Sequence, residues 1–388
     1  MLLCVAMKNL LVIVSDRLTD LIRKGEITAR YYNPGEFFDD VHILMINDDN
    51  PELSAIQKTV GNARLHLHNL PVPPFKSTLG WHPALLRSWI NAGVKLAEKI
   101  KPDLIRTYGI FHNGFLAARI KKALDIPLAV SLHTHPDFDM RRTVPPREIK
   151  KRIMYECYRH LERESLCSAD QVIIVYESQR EYVIKNGARS VSLIYNVINS
   201  SAIQQKKCYD TSSPPQIISV GRQFKEKNPE NIIRAMTHLD AVLTVVGDGA
   251  YHEYLIKLTD RLGLKERIVF RKAMSNDEIC VSLPGYDIFA VHCDYVGIPK
   301  AVIEPLLVGL PVVINRNPVA SVPEIEGDWV LSVENTEPGY ASALEKLIKD
   351  KAMRELLGGR AIAYAEKNFL PHMMEQKMSA LYQQLLAA

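Results

Sequence analysis

Paired cysteines are absent from this sequence. Its six cysteines, Cys4, Cys157, Cys167, Cys208, Cys280 and Cys293, are scattered, and none stands in a Cys-x-x-Cys pair. That excludes a zinc ribbon and a thioredoxin-type redox site, and in a chain this long it points to a reducing compartment. No apolar run reaches the roughly 18 residues that a membrane span needs. The opening Met1 to Val14 is broken by Lys8 and Asn9 and lacks a basic start, so it reads as a first core strand and not as a signal peptide; Met7 is an alternative start. One-sided charge is missing too. Against 44 acidic residues stand 48 basic ones, a net of +4, which does not argue for nucleic acid as the partner. No short tandem repeat is visible. The expectation is a cytoplasmic protein.

With 388 residues the chain exceeds what one core usually holds, and at roughly 150 residues per domain two domains are expected. Continuous Val/Ile/Leu runs predict strands at Leu10–Val14, Val41–Met45, Asp103–Thr107, Leu128–Leu132 and Gln171–Val175. Helical patterns lie between them at Ala84–Ile100, Gly114–Leu124 and Arg147–Cys167. In the last, Ile149, Ile153, Cys157 and Leu161 form one apolar stripe. The polar stretch Asn196 to Pro215 reads as a join. Strand and helix then alternate again: Ile217–Val220, Glu230–Met236, Val242–Val246, Tyr251–Leu262, Ile268–Phe270, Asp287–Val291, Lys300–Val308 and Pro311–Ile314. The tail from Leu370 is helical. Repeated strand–helix–strand order predicts an α/β fold of two doubly wound halves, with ligands at the carboxyl ends of the strands.

Four stretches at such ends carry chemistry. Ser219 to Pro229 places Arg222 and Lys227 after a buried strand, with Gly221 allowing the turn; two converging cations suit a diphosphate. The same residues also fit a solvated basic loop. Val246-Gly-Asp-Gly-Ala250 is short of a full G-x-G-x-x-G and, taken alone, is a tight turn. Gly297, Ile298, Pro299 and Lys300 should begin a helix whose free N–H groups favour an anion or sugar hydroxyls. Glu304, one turn on, can accept hydrogen bonds from a ribose diol; an isolated glutamate is otherwise a surface residue paired with a cation. His133 follows the strand ending at Leu132. It is a cleft-facing group, a turn residue, or part of a metal site with His135 and Asp137 or Asp139.

In order and spacing these motifs resemble the retaining glycosyltransferases of the GT-B group called group 1, or family 4. The residues concerned are "VGR…K", "VVGDG", "GIPKAVIEPLLVGLPVV" and the histidine after a first-half strand, with Lys227-Asn-Pro229 and Ser321-Val-Pro-Glu-Ile325 in support. The resemblance covers nearly the whole chain. It implies two Rossmann-like doubly wound domains facing across a cleft. Residues 1–195 would form an acceptor-side domain and 196–370 a donor domain, with 371–388 a helix crossing back to the first. The resemblance implies a nucleotide-diphosphate sugar as donor substrate, no cofactor and no metal, and a hexosyl transfer to a hydroxyl of a saccharide, a lipid-linked saccharide or a small molecule. It assigns Arg222 and Lys227 to the diphosphate, Glu304 to the ribose and Gly297 to Lys300 to sugar and phosphate. Ala273 and Met274 fall to the base, His133 to the reacting sugar, and Gly25, in the loop after the first strand, to the phosphates. At Val296 the sequence departs from the family, which carries there a glutamate that helps hold the donor sugar; Asp294 and Tyr295 lie close by. Lys24-Gly25-Glu26 replaces a common glycine pair. Six cations between Arg141 and Arg152 suit an anionic membrane surface at the inner face, or a phosphate-bearing acceptor, as well as a solvated helix start. A non-hydrolysing nucleotide-sugar epimerase and a catalytically weak nucleotide-sugar-binding protein are the rival readings.

Overall fold

The structure, a computed structural model, describes residues 7–23, 25, 27–74, 84–136, 149–198, 200–272 and 274–387. The chain divides into two compact units, one running up to Val197 and regaining His372–Ala388, the other Ile198–Pro371.

The first unit is a parallel sheet of β1 (Asn9–Val14), β2 (Asp40–Met45), β3 (Arg64–Asn69), β4 (Leu104–Tyr108), β5 (Leu128–Leu132), β6 (Gln171–Ile174) and β7 (Val191–Leu193), in the order β3-β2-β1-β4-β5-β6-β7. Between them run α1 (Leu18–Arg23), α2 (Leu53–Ile56), α3 (Arg87–Ile100), α4 (His112–Leu124), α5 (Ile149–Ser168) and α6 (Arg180–Lys185). The central strands are the ones whose apolar runs are unbroken, because helices cover both their faces. β3 and β7, each bordered by one strand, escape that reading. β3 is the alternating Arg-Leu-His-Leu-His-Asn, and β7 is three half-buried residues. On α5, Leu161 is buried and Cys157 half-buried, whereas the side chains of Ile149 and Ile153 lie outside the described residues. Gly114 of α4 lets α5 close in: a Cβ there would stand 2.7 Å from Ser165 Oγ and 2.8 Å from Gly109 O. The Ser165 hydroxyl reaches Ile110 O and Leu161 O.

The second unit has β8 (Gln216–Val220), β9 (Val242–Val246), β10 (Ile268–Arg271), β11 (Ile288–Val291), β12 (Val312–Asn315) and β13 (Leu331–Val333), in the order β10-β9-β8-β11-β12-β13, all parallel. Its helices are α7 (Glu230–Ala235), α8 (His252–Arg261), α9 (Asn276–Ser282), α10 (Lys300–Val308), α11 (Glu337–Lys349) and α12 (Lys351–Phe369). The polar stretch expected as a join is in large part strapped to this unit. Lys206 Nζ donates to Pro284 O and Tyr286 O, Tyr209 Oη to Gly309 O, and the buried Arg354 guanidinium to Tyr209 O. Side-chain bonds add to this, Gln205 to Glu366 at 2.9 Å and Lys351 to Asp210 at 2.8 Å; every partner is distant in sequence, so the stretch's own polar composition could not reveal the attachment.

The helical tail is broken at Leu370, and α13 (Pro371–Ala387) starts on a proline. Proline suits a first turn because its missing N–H would have no partner there. Through α13 the chain returns to the first unit. Glu375 pairs with Arg30 at 2.9 Å and accepts from the Gly35 amide, and the fully buried Tyr382 meets Phe38 edge to face at 5.7 Å. Among the described residues no helix is long and apolar enough to cross a membrane. The Arg141 to Arg152 stretch lies outside the described residues, apart from the backbone of the first turn of α5.

Candidate functional site

In the second unit three strand ends and a helix start converge on a pocket lined by Val220, Gly221, Lys227, His292, Pro299 and Val302, among others. β8, β9 and β11 bring their carboxyl ends there because all three are parallel. α10 begins there with Pro299 as its cap, and no side chain caps its amides. Its first-turn N–H groups and its positive dipole end face the place where an anion would sit.

Arg222 and Lys227 share this end of the sheet. The Arg222 guanidinium lies 5.6 Å from the Phe224 ring centre, and Lys227 Nζ lies 4.7 Å from that of Tyr295. Burial first, and repulsion from Arg222, pull Lys227 below the ordinary lysine value. Neither cation has a carboxylate partner within ion-pair distance among the described residues. Two like charges are thus held near each other, Arg222 exposed and Lys227 half-buried, with aromatic faces as their neighbours. That arrangement costs folding free energy and is relieved by an anion.

The glycines of Val246-Gly-Asp-Gly-Ala250 have a packing reason. Gly247 (φ 128°) would put a Cβ 2.1 Å from Gly221 O, and Gly249 (φ 158°) one 2.5 Å from Gln223 O. The two loops press backbone on backbone, and the buried Gln223 fastens them: its Nε2 donates to Gly247 O at 2.8 Å while its Oε1 meets His252 Nδ1 at 2.8 Å. Sequence reasoning passed over Gln223, whose position next to Arg222 was the available signal. Gly247→Ala is expected to lose on the order of 2–4 kcal/mol of stability and to displace Arg222. Chemical denaturation and nucleotide titration of the variant measure both effects.

Glu304 is not exposed, and among the described residues it has no ion-pair partner. It is 5% exposed on α10 and accepts from Asn276 Nδ2 at the start of α9. Burial pushes its carboxyl up to about 7, against the pull of Lys300 and the Asn276 bond. Asn276 is a second residue that the sequence reading missed. Met274, half-buried, stands two residues before it in the turn after β10; Ala273 lies outside the described residues. Gly297 and Ile298 are buried, Pro299 is half-buried, and Lys300 is exposed at the head of α10. Val296 is buried as well. Asp294, a neighbour considered as its stand-in, is already engaged: it accepts from Asn315 Nδ2 at 2.9 Å and lies 3.0 Å from His292 Nε2. Tyr295 is taken up as the ring beside Lys227.

In the first unit His133 follows β5 directly. Its Nδ1 lies 3.1 Å from Asn196 Oδ1, and its ring stacks on Tyr108 with centres 5.5 Å apart. Asn196 and Tyr108 therefore fix the imidazole, and neither was visible as a partner in sequence. Among the described residues His133 belongs to no metal-ligand cluster; Asp137 and Asp139 lie outside them. Gly25 is corrected. It does not lie in the loop directly after β1, because α1 intervenes, anchored by Asp49, which accepts from Thr19 N at 3.0 Å and Thr19 Oγ1 at 2.7 Å. Gly25 follows α1, exposed, with φ 69° and open space around it.

Residues 36–196 match the family described as a glycosyl transferase 4-like domain, and residues 203–364 the family described as glycosyl transferases group 1. A sulfoquinovosyl transferase of Arabidopsis thaliana is 26% identical over 355 residues, 86% of this chain and 64% of that protein. The chain thus spans just under two thirds of the plant relative's length. An alpha-D-kanosaminyltransferase of Streptomyces kanamyceticus is 20% identical over 349 residues, 83% of this chain and 89% of that one. The solved structure of Anabaena HepE in complex with UDP superimposes with a TM-score of 0.69 at 17% identity, covering 97% of this chain and 100% of that one; it shares the two-sheet GT-B fold.

Proposed function

Because the chain belongs to the glycosyl transferases of group 1, we propose that it moves a hexosyl group, with retention, from a nucleoside-diphosphate sugar to a hydroxyl acceptor. The observation that carries this is the pair Arg222 and Lys227, brought together at the strand ends beside the uncapped start of α10, with no carboxylate counter-ion among the described residues. The acceptor oxygen attacks the anomeric carbon as the bond to the diphosphate breaks. Negative charge grows on the departing phosphate where Arg222, Lys227 and the α10 amides already stand, so no reorganisation is needed at that moment. The departing phosphate takes the acceptor proton on the same face.

Glu304, steadied by Asn276, accepts hydrogen bonds from the ribose. Met274 and Ala273 border the base, and Gly297 to Lys300 meet sugar and phosphate. His133 serves the reacting sugar, as the family resemblance implies. The first unit takes the acceptor: a saccharide, a lipid-linked saccharide or a small molecule.

Two fixed cations do the work that a divalent metal does elsewhere. Initial rates in chelator are therefore expected to equal those with magnesium or manganese. Rates that vanish in chelator and return with manganese refute this. Incubation with a panel of nucleotide sugars tests the function itself: released nucleoside diphosphate and a product with the donor's anomeric configuration are expected. A second reading, a nucleotide-sugar-binding protein without turnover, is favoured by Val296 together with the engaged Asp294. It predicts a donor-dependent rise in Tm with no product. An epimerised donor in the same panel marks the third possibility.

A further inference from the structure

The outer edge of the first sheet carries a polar cluster that sugar transfer does not use. β3 is the edge strand, and β2 is its neighbour. Their register sets Asp40 opposite Arg64, His42 opposite His66 and Leu44 opposite His68. Side chains two apart on a strand share a face, and neighbouring strands lie about 4.8 Å apart, so Asp40, His42, His66 and His68 crowd into one patch. Donor atoms of Asp40, His42 and His66 all lie within 4.8 Å of one another. His66 Nε2 is 2.8 Å from Asp40 Oδ1, and His42 Nδ1 is 3.0 Å from His68 Nε2. The His42 and His66 rings stack with centres 4.3 Å apart. Packing explains an apolar residue in such a strand; it does not explain three imidazoles and a carboxylate in contact.

We propose that Asp40, His42 and His66 bind one divalent cation of the zinc class, with His68 holding the His42 ring through its second nitrogen. The donor set of two imidazoles and one carboxylate suits zinc, cobalt or nickel better than calcium or magnesium, which want oxygen alone. Ligand bonds of about 2.0–2.2 Å fit between His66 Nε2 and Asp40 Oδ1 with a small opening, and the proton of that hydrogen bond leaves to solvent. The stacked rings turn to aim both nitrogens at one ion; His66, 42% exposed, has room to do so. Arg64 holds both oxygens of Asp40, donating from Nη2 to Oδ2 and from Nε to Oδ1 at 2.9 Å; on binding, the cation takes the place of the Nε proton at Oδ1, and the Oδ2 bond keeps the carboxylate oriented. His68 stands to His42 as outer partners stand to metal-bound histidines. β2 and β5 are separated by β1 and β4, about 14 Å across the sheet, so the cation lies apart from His133.

The test uses the tag-free full chain, stripped with chelator and dialysed. Calorimetry with zinc is expected to give one ion per chain, and cobalt is expected to give the visible d–d bands of a low-coordinate nitrogen/oxygen site. His66→Gln and His42→Gln should each weaken zinc binding by at least about 100-fold, and His68→Gln by about 10–100-fold, with the metal-free Tm of the exposed His66→Gln little changed. The zinc-dependent rise in Tm should vanish with the binding. No one-to-one isotherm in the stripped chain overturns the proposal, as does unchanged affinity in the His42→Gln/His66→Gln double variant. If His42→Gln fails to fold, His66→Gln alone decides.

Discussion

Alanine at Arg222 or at Lys227 is expected to lower kcat/KM for sugar transfer by about 10²–10³-fold each, the usual cost of removing one preorganised group from developing negative charge. The double variant should fall at least as far as the worse single. The two groups act on one diphosphate, so their effects need not multiply. Stability should move the other way or not at all. Lys227 is held below its ordinary pKa by burial and by Arg222, so removing either cation relieves repulsion in the folded state. Affinity for the nucleoside diphosphate alone should drop in parallel with the rate. Steady-state kinetics, calorimetry with the diphosphate and thermal melts on the same samples separate these effects. Full activity in the double variant, or a collapse of Tm that accounts for the lost rate, removes the basis of the proposed mechanism.

Glu304→Gln is expected to make the protein more stable in mild alkali and less able to bind donor. Burial raises this carboxyl from its ordinary 4.5 to about 7. The folded state therefore prefers the protonated acid. Its contribution is complete below pH 4.5 and is lost as pH rises through 7, a change of roughly 3 kcal/mol. Glutamine stays neutral throughout, so the variant's stability should lack this slope and exceed the wild type's at pH 8 by up to about 3 kcal/mol. Donor binding has the opposite sign. A ribose diol donates hydrogen bonds to the carboxylate, so wild-type affinity should rise with pH through about 7 and level off above it. The variant should show no such rise and should bind roughly 10–100-fold more weakly at pH 8, the value of hydrogen bonds to a charged group. Thermal melts and donor titrations between pH 5 and 8.5 read both. Parallel pH dependences in the two proteins would sink the assignment of Glu304 to the ribose.

The ordering of elements was legible because central parallel strands announce themselves. Leu10 to Val14, Leu243 to Val246 and Ile288 to Val291 are buried, and apart from Thr244 their side chains are apolar, as covering on both faces favours. Edge strands obey a weaker rule: β3, β7 and β13 were silent, and of the edges only the short apolar Ile268 to Phe270 of β10 was read. The positions of Arg222, Lys227 and Glu304 could be named from motif spacing, yet their states could not. Whether Lys227 is desolvated, and whether Glu304 is exposed and ion-paired or buried against Asn276, depends on residues that are distant in sequence. The segment Lys206 to Tyr209 looks like linker for the same reason: its partners are the carbonyls of Pro284, Tyr286 and Gly309.

The sequence by itself determined two alternating α/β halves, the cations after β8 and the glycines after β9, since each follows from local chain chemistry: apolar runs, turn-permitting residues and helix starts. Tertiary packing decided which polar groups meet. It pressed Gly247 onto Gly221 O, set Lys227 beside the Tyr295 ring, buried Glu304, and drew the histidines of β2 and β3 into one patch. Burial and through-space charge fix the protonation and reach of such groups, and both depend on neighbours that no stretch of chain contains alone.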